Sequence, residues 1–371
     1  WGNSYYANPF PLAEQHYLTA WSPDPLPIHA VNPYPRLGNP GNPGPPNSLG
    51  LYLFDAFGNL TLLYRDPKIS SMYPIPITPR RRPAELPSNV AWDDDGHAEG
   101  RMLLKDVYQG DLKDFAPGTI RRLRIVGVPP KTDPRMNHPA LGVTQDDPGK
   151  FVLGTVPVEA DGSAYFRVPA GVPFFLQALD AEWMAVQTMR SVTYVQPGQT
   201  YSCVGCHEHR QSAPPARQPA AAAMREPSLI EVGPEGSWPL DFQALVQPVL
   251  DQHCVACHKP GADGAQTDLT AAQSYETLLS FGGERSLRSH VQARYDARRS
   301  VAGACAAMAS PLTKLMAEDH YEVKLEAADR QRLILWMDTY AQRGGSFSVE
   351  QEERLRELRK RLAPLLAVSE R

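Results

Sequence analysis

Two copies of one short pattern constrain this sequence more than any other feature. The pattern, Cys-x-x-Cys-His, is formed once by Cys203, Cys206 and His207 and again by Cys254, Cys257 and His258. Thiols at this spacing reach the two vinyl groups of one haem, and the adjoining histidine turns under the ring to bind iron. The sequence therefore predicts two covalently attached c-type haems.

A structural zinc site is the main alternative for paired cysteines. The two pairs lie too far apart in sequence for the usual zinc ribbon, and zinc does not require a histidine directly after both pairs. The remaining cysteine of the five, Cys305, belongs to neither motif. We expect Cys305 to be a small buried residue.

The cellular location follows from the haem prediction. Covalent haem attachment of this kind takes place outside the bacterial cytoplasm, so we predict a periplasmic or otherwise exported protein. The chain opens at Trp1 without Met and without the basic and apolar stretches of a signal peptide. We therefore expect that a signal has been removed or that further residues precede Trp1.

Composition excludes two classes of protein. The 371 residues carry 37 Lys and Arg against 41 Asp and Glu, a formal net charge of −4, with no basic stripe. This balance gives no electrostatic footprint for nucleic acid. No apolar run approaches the roughly 18 residues that a membrane span needs, so we predict no membrane span.

The residue patterns divide the chain into five parts and predict an α+β fold. Turn residues between short β-rich runs predict a hairpin at 51–64 and strands at 119–126, 151–159, 163–168, 172–179, 184–188 and 191–196. Helical periodicity predicts helices from 242 to just before Cys254 and at 312–318, 327–343 and 349–366. The predicted parts are a loop-rich segment with the hairpin (1–100), an antiparallel β-sandwich-like domain ending in the first motif (101–210), a Pro/Ala-rich linker (211–240), an α-helical cytochrome c domain with the second motif (241–346) and a C-terminal amphipathic helix (347–371).

The C-terminal helix has two interpretations. Leu355, Leu358, Leu362 and Leu365 lie on one side of it, among charged residues. This side either packs on the helix's own domain or joins a partner chain, which leaves an oligomer through this helix open.

Each haem iron needs further ligands besides the motif histidine. For the second haem, His258 is the proximal ligand, and the sixth ligand comes from His290, Met308, Met316 or His320. We favour His320, which follows a predicted helix.

For the first haem, His207 is followed by Glu208, His209 and Arg210, and we expect Arg210 to pair with a haem propionate. Distal candidates for the first haem are His97, His138 and Met189, and spacing singles out none of them.

The segment that leads into the first motif resembles a known family. It reads LGTVPVE at 153–159, DGSAYFRVPAG at 161–171, AVQTMRS at 185–191 and SCVGCHE at 202–208. This resembles the hydrazine synthase alpha subunit and its dihaem c-type cytochrome homologues, over roughly residues 50–345. The resemblance implies that residues 5–65 are the closing strands of a β-propeller, that a β-rich domain holds the first haem and that a cytochrome c domain holds the second, with His320 as its sixth ligand.

One departure from the family bears on the reaction. In hydrazine synthase a tyrosine a few residues after the first motif binds the first iron, and the motif histidine binds zinc; here Gln211 occupies the tyrosine's place. Glutamine supplies no phenolate, so we expect His207 to bind iron in the ordinary way. The resemblance still leaves open a zinc site that uses His207, His209 or Cys305.

The sequence supports two hypotheses about function. The first is an exported dihaem cytochrome that transfers electrons to or from a redox partner protein, with a first haem that acts on a small nitrogen or oxygen species. The alternative is a purely electron-transferring or docking subunit of a larger redox complex, with both haems six-coordinate. The sequence does not decide whether the protein is an enzyme.

Overall fold

The computed structural model describes residues 5–23, 49–66, 68–85, 98–135, 138–144, 146–207, 219–316, 320–321 and 323–367. The chain forms two compact units, Trp1–Leu86 and Pro87–Arg371. Three mostly antiparallel sheets and a helical C-terminal region confirm the predicted α+β class. Within these ranges, every helix is too short or too polar to cross a bilayer. The finer division into five parts stays a prediction.

The first unit is a four-stranded antiparallel meander. Its strands, in order across the sheet, are β1 (Tyr5–Ala13), β2 (His16–Ser22), β3 (Gly50–Asp55) and β4 (Leu60–Tyr64). β3 and β4 form the predicted hairpin, and the Asp55 carboxylate accepts the backbone N–H groups of Phe57 and Asn59 in its turn (3.0 and 2.9 Å). A hairpin alone is marginally stable. β1 and β2, which the sequence patterns missed, supply the strands that it needs.

The second unit begins with two sheets that share one core. Its strands are β5 (Glu99–Leu104), β6 (Arg122–Gly127), β7 (Phe151–Pro157), β8 (Ala164–Pro169), β9 (Phe174–Leu179), β10 (Ala185–Thr188), β11 (Thr200–Cys203), β12 (Ile230–Glu231) and β13 (Leu366–Ala367). The sheet orders are β10-β9-β6-β7-β12-β13 and β11-β5-β8. Side chains of both sheets, such as Met102 and Phe166 from one and Leu123 and Ile125 from the other, form a single hydrophobic cluster. This is the sandwich-like arrangement that the sequence predicts.

The strand that leads into the first motif differs from the prediction. A strand at 191–196 is wrong: this stretch contributes only an isolated bridge, in which Thr193 and Phe174 exchange two backbone hydrogen bonds of 2.8 Å. After the turn at Gly198 the chain joins the other sheet as β11, parallel to β5. The turn at Pro197 and Gly198 separates the bridge to Phe174 from the pairing of β11 with β5. Sequence periodicity does not show that the chain changes sheets at this turn.

The predicted linker is partly built into the sandwich. Of its residues, 219–240 are described, and there β12 pairs with β7 and with β13 at the edge of the larger sheet. Ile230 and Trp238 are 0% and 5% exposed and belong to the sandwich core. This half of the linker is therefore ordered by burial of its apolar residues.

The helical region follows the sandwich. Its helices are α1 (Phe242–Leu245), α2 (Gln247–His253), α3 (Ser274–Ser280), α4 (Leu287–Ala297), α5 (Ala306–Ala309), α6 (Leu312–Leu315) and α7 (Ala327–Asp338). Phe242, Tyr275 and Trp336 pack edge to face at its centre, with ring centroids of Phe242 5.1 Å from Tyr275 and 5.2 Å from Trp336. Apolar side chains of α1, α2 and α7 complete this core.

One predicted helix is divided, and the others end earlier than predicted. The helix predicted from 242 to just before Cys254 is divided into α1 and α2 at Val246, and Pro248, which has no N–H to donate, lies in the first turn of α2. The helices predicted at 312–318 and 349–366 end at Leu315 and Arg361. The helix predicted at 327–343 ends at Asp338, because Tyr340 and Ala341 adopt left-handed backbone conformations (φ +66° and +54°). Helices α3 and α4 were not predicted.

The C-terminal helix α8 (Val349–Arg361) packs on its own chain. Leu355 and Leu362 are 5% and 6% exposed and join the sandwich core. The Trp238 indole N–H donates to the Leu355 carbonyl (2.9 Å). Since the apolar side is covered within the chain, the first of the two interpretations describes this helix, and its exposed side is charged.

A buried ion pair joins the sandwich to the helices. Arg124 at the centre of β6 and Asp338 at the end of α7 lie 3.7 Å apart (Nη1 to Oδ2), with side chains 1% and 0% exposed. The Asp338 carboxylate also accepts the backbone N–H groups of Ala185 and Ala307 (2.7 and 3.0 Å). Burial lowers the pKa of Arg124 and raises the pKa of Asp338 to about 6, although the two attract. The pair therefore fixes α5 and α7 against β6 and β10.

Removing one partner of this pair should be costly. Asp338→Ala leaves Arg124 charged, buried and unpaired, and we expect the free energy of unfolding to fall by about 3–5 kcal/mol in urea denaturation. The matched control, Glu350→Ala, removes the partner of exposed Arg354 on α8 and should cost at most about 1 kcal/mol. Equal losses in the two variants would contradict this account of the interface.

Candidate functional site

The second Cys-x-x-Cys-His motif is a tight turn at the end of α2. The backbone N–H of Cys254 donates to the carbonyl of Leu250 (2.8 Å), which continues the helical hydrogen bonding. The N–H groups of Cys257 and His258 both donate to the carbonyl of Cys254 (3.2 and 3.0 Å). Burial raises the pKa of the Cys254 thiol to about 11. The helix thus presents two thiols and an imidazole from one rigid turn.

The ring of His258 has a fixed backbone partner. Its Nδ1 lies 3.3 Å from the carbonyl oxygen of Gly264. Gly264 comes this close because it has no side chain; a Cβ there would lie 2.7 Å from Nδ1. An Nδ1–H that donates to this carbonyl leaves the lone pair on Nε2, which is the tautomer that binds a metal through Nε2.

His320 completes this site across from His258. The two imidazole planes are within 11° of parallel, and their centroids are 6.2 Å apart. Parallel rings in direct contact would lie about 3.5–4 Å apart. Two imidazoles on opposite sides of one metal ion, each bonded at about 2.0 Å, hold their centroids about 6 Å apart. The pair therefore fits the two axial ligands of a single haem iron.

The other candidates for the sixth ligand make no described ring contact or hydrogen bond with His258. Met316 is 9% exposed in the helical core, and Met308 packs against the sandwich core. His290 lies on α4, half-buried, where burial and the neighbouring Arg294 lower its pKa. The described contacts bring only His320 to His258.

The first motif extends from a strand instead of a helix. β11 ends at Cys203, whose carbonyl accepts the N–H of Lys105 (2.9 Å), and the Cys206 carbonyl accepts the N–H of Asp111 (3.0 Å). Gly205 lies directly against this loop, because a Cβ there would be 2.4 Å from both the Cβ and the carbonyl oxygen of Gln109. The smaller sheet and the loop after β5 therefore determine the shape of the first motif.

A carboxylate lies beside the histidine of the first motif. Asp111 Oδ2 is 3.3 Å from His207 Nδ1 and also accepts a hydrogen bond from the Gln187 side chain (2.9 Å). The His207 side chain is 86% exposed, whereas His258 is partly buried. A carboxylate partner increases the basicity of an imidazole ligand more than a carbonyl does. The two motifs thus share a pattern but not an environment.

Sequence reasoning missed the partners of both motif histidines. Asp111, Gln187 and Gly264 carry no motif of their own, and the first two come from strands and loops distant in sequence from His207. The position of Gly264, six residues after His258, is the local sequence signal that could have indicated its role. The roles of Asp111 and Gln187 are visible only in three dimensions.

Some candidates for the first haem lie outside the described residues, namely Glu208, His209, Arg210, Gln211 and His97. Of the two that are described, His138 is exposed 3.9 Å from Asp133, and Met189 accepts the backbone N–H of Leu176 on its sulfur (3.3 Å). The distal ligand of the first haem therefore stays a prediction without a favoured residue.

Cys305 behaves as the small buried residue that the sequence predicts. It is 6% exposed and packs with Leu179 and Ala185. Within the described parts of the chain, no three His, Cys, Asp or Glu side chains come together as a metal-binding group. A haem iron takes only two axial ligands from the protein, so two facing imidazoles such as those of His258 and His320 would need no third protein ligand.

Comparison with known proteins bears on the fold and on the segment that leads into the first motif. The chain has an α+β fold with two Cys-x-x-Cys-His motifs, one at the end of a strand and one at the end of a helix. Residues 118–208 match the family model described as the hydrazine synthase alpha subunit middle domain. This match confirms the resemblance predicted from the strand-to-motif segment: residues 118–208 are similar to the middle domain of the hydrazine synthase alpha subunit.

A solved structure shares the fold over most of the chain. Hydrazine synthase of Kuenenia stuttgartiensis aligns with a TM-score of 0.58 and 19% sequence identity, over 91% of this chain and 55% of the other. The chain thus spans about half the length of that protein. No curated protein sequence matches the chain.

Replacement of Gly205 should distort the first motif selectively. Gly205→Ala places a methyl group on Gln109 and should lower the free energy of unfolding by about 1–3 kcal/mol. The equivalent position in the second motif holds Ala256, and Ala256→Gly should cost about 1 kcal/mol or less. Urea denaturation of both variants measures the difference. A Gly205→Ala protein as stable as the parent would contradict the close approach to Gln109.

Proposed function

We propose that this chain is an exported dihaem c-type cytochrome that transfers electrons within a larger redox complex. The observation that carries the proposal is the parallel pair His258 and His320, whose ring centroids lie 6.2 Å apart. Of the two, His258 directly follows a Cys-x-x-Cys pair. A structural zinc ion takes four ligands in a tetrahedron, whereas here two parallel imidazole rings lie on opposite sides of a gap. The arrangement suits a planar group with one axial ligand on each face.

The second site has the properties of an electron relay. Cys254 and Cys257 would attach the haem, and His258 and His320 would hold its iron. The haem, when bound, would supply a one-electron couple. The Gly264 carbonyl orients the His258 ring, which favours a site whose geometry changes little with charge.

The first site suits a more reactive role. Cys203 and Cys206 would attach its haem, His207 would bind the iron, and Asp111 would orient and polarise the ring. The His207 side chain is also 86% exposed, whereas His258 is partly buried and faces His320. On these differences we assign a small nitrogen or oxygen species to the first haem and electron delivery to the second.

The comparison with hydrazine synthase supports a redox role but not the same reaction. The related enzyme is named for hydrazine synthesis, and this chain has Gln211 where the family resemblance implies a tyrosine ligand. Glutamine cannot act as a phenolate ligand. We propose that the chain works in the periplasm or another exported location with a redox partner protein, on a small nitrogen or oxygen species.

His320→Ala should convert one haem from low spin to high spin. Loss of one strong axial ligand leaves the second iron five-coordinate, so electron paramagnetic resonance should show the loss of one low-spin signal. His290→Ala is the matched control, because His290 also lies in the helical region yet does not face His258 in the described contacts. An unchanged low-spin spectrum in His320→Ala would remove the assignment of His320.

The first haem is tested by adding small ligands to the oxidised holoprotein. We expect one low-spin and one high-spin centre, and we expect only the high-spin centre to change on addition of nitric oxide, hydroxylamine or peroxide. Cys203→Ser combined with Cys206→Ser should remove the responsive centre and one covalent haem, as measured by mass spectrometry. Two low-spin centres that ignore these ligands would show instead a purely electron-transferring subunit.

A further inference from the structure

A cavity of about 260 Å³ lies between the sandwich and the helical region, and no residue of either motif lines it. Its walls include apolar side chains of the larger sheet and of α4, among them Phe175 and Val291. Its polar lining includes Lys150, Arg190 and Tyr340. Ligand sites commonly combine such apolar walls with a few convergent polar groups.

Lys150 is the most constrained charge in the cavity wall. It is 3% exposed, and its ammonium donates to the side-chain carbonyl of Gln342. Gln342 is neutral and is itself held by a hydrogen bond from its amide to the carbonyl of Pro148 (2.8 Å). A buried ammonium group is stable only with a compensating charge or several acceptors. The amide alone provides one acceptor for three N–H groups.

A second cation, Arg190, also lines the cavity. This residue is exposed, and its guanidinium lies over the ring of Tyr340, 5.5 Å from the centroid. Burial lowers the pKa of Lys150, the charge of Arg190 lowers it further, and the charge of Asp147 opposes both. Two cations therefore converge on one partly apolar cavity.

The acidic residues of the wall have partners of their own. Asp147 accepts the backbone N–H of Thr144 (2.7 Å) within its own loop. Asp146 forms a side-chain hydrogen bond with Tyr295, which raises the pKa of that tyrosine. Each carboxylate thus has a hydrogen-bond donor of its own in the wall, whereas the described acceptor of the Lys150 ammonium is a neutral amide.

We propose that this cavity binds a small organic carboxylate, whose charged group lies between Lys150 and Arg190 and whose apolar body lies against Phe175 and Val291. The size and the apolar walls favour an organic acid over a bare inorganic oxyanion. The site is separate from both haem motifs and does not depend on the function proposed for them. Since its walls come from the sandwich and from the helices, the ligand would contact both.

Isothermal titration of the purified full-length holoprotein with benzoate tests the proposal. We expect one binding site per chain. Lys150→Met, which keeps the buried stem, and Arg190→Gln should each weaken binding at least tenfold. Arg122→Gln is the matched control, because Arg122 also stacks on an aromatic ring (Trp183, 4.3 Å) but does not line the cavity; it should leave affinity unchanged.

Three outcomes would overturn the proposal. They are the absence of benzoate binding to the parent protein, binding that survives both Lys150→Met and Arg190→Gln, and tighter binding of nitrite than of benzoate. The last result would assign the cavity to an inorganic oxyanion. Circular dichroism of each variant establishes that it is folded, and if Lys150→Met fails to fold, Arg190→Gln against Arg122→Gln decides the question.

Discussion

The buried ion pair between Arg124 and Asp338 is the constraint on which the second unit depends. Burial of an ion pair costs desolvation free energy, and removal of one partner costs more, because the other charge then stays buried without a counter-charge. Arg124 also donates to Gln177 and to the carbonyl of Trp183 (2.9 and 3.0 Å), so its five N–H groups have several acceptors. The pair therefore specifies one way for the helices to dock on the sandwich. Because the first motif belongs to the sandwich and the second to the helices, the same docking sets the position of one motif relative to the other.

Identical motifs acquire different chemistry from the elements that carry them. In the second, a helix end and the Gly264 carbonyl hold His258 opposite His320. In the first, a strand end and the Asp111 carboxylate hold a far more exposed His207. Axial ligands, hydrogen bonding and burial are the means by which a protein tunes an iron centre. One chain thus provides the two unlike sites that a relay and a reactive centre would need.

The proposed carboxylate cavity lies at the same junction. Tyr340 in its wall follows Asp338 by two residues, just where α7 ends and the backbone turns left-handed. Lys150 reaches across to Gln342, beyond that turn. The residues just after the early end of α7, which helical periodicity did not predict, thus contribute to the wall of the cavity. A ligand there would contact both halves of the unit.

The sequence by itself determined the local features: the two Cys-x-x-Cys-His motifs, the hairpin around Gly58, most of the sandwich strands and the family resemblance. These depend on residues close together in the chain, where turn chemistry and periodicity act. Only the tertiary structure decided which distant residues meet, as with Asp111 beside His207, Asp338 beside Arg124 and the parallel pairing of β11 with β5. His320 stood among four candidates in the sequence, and its ring was brought to His258 by packing. Partners such as these are selected by burial and charge across the whole fold, and no local pattern records them.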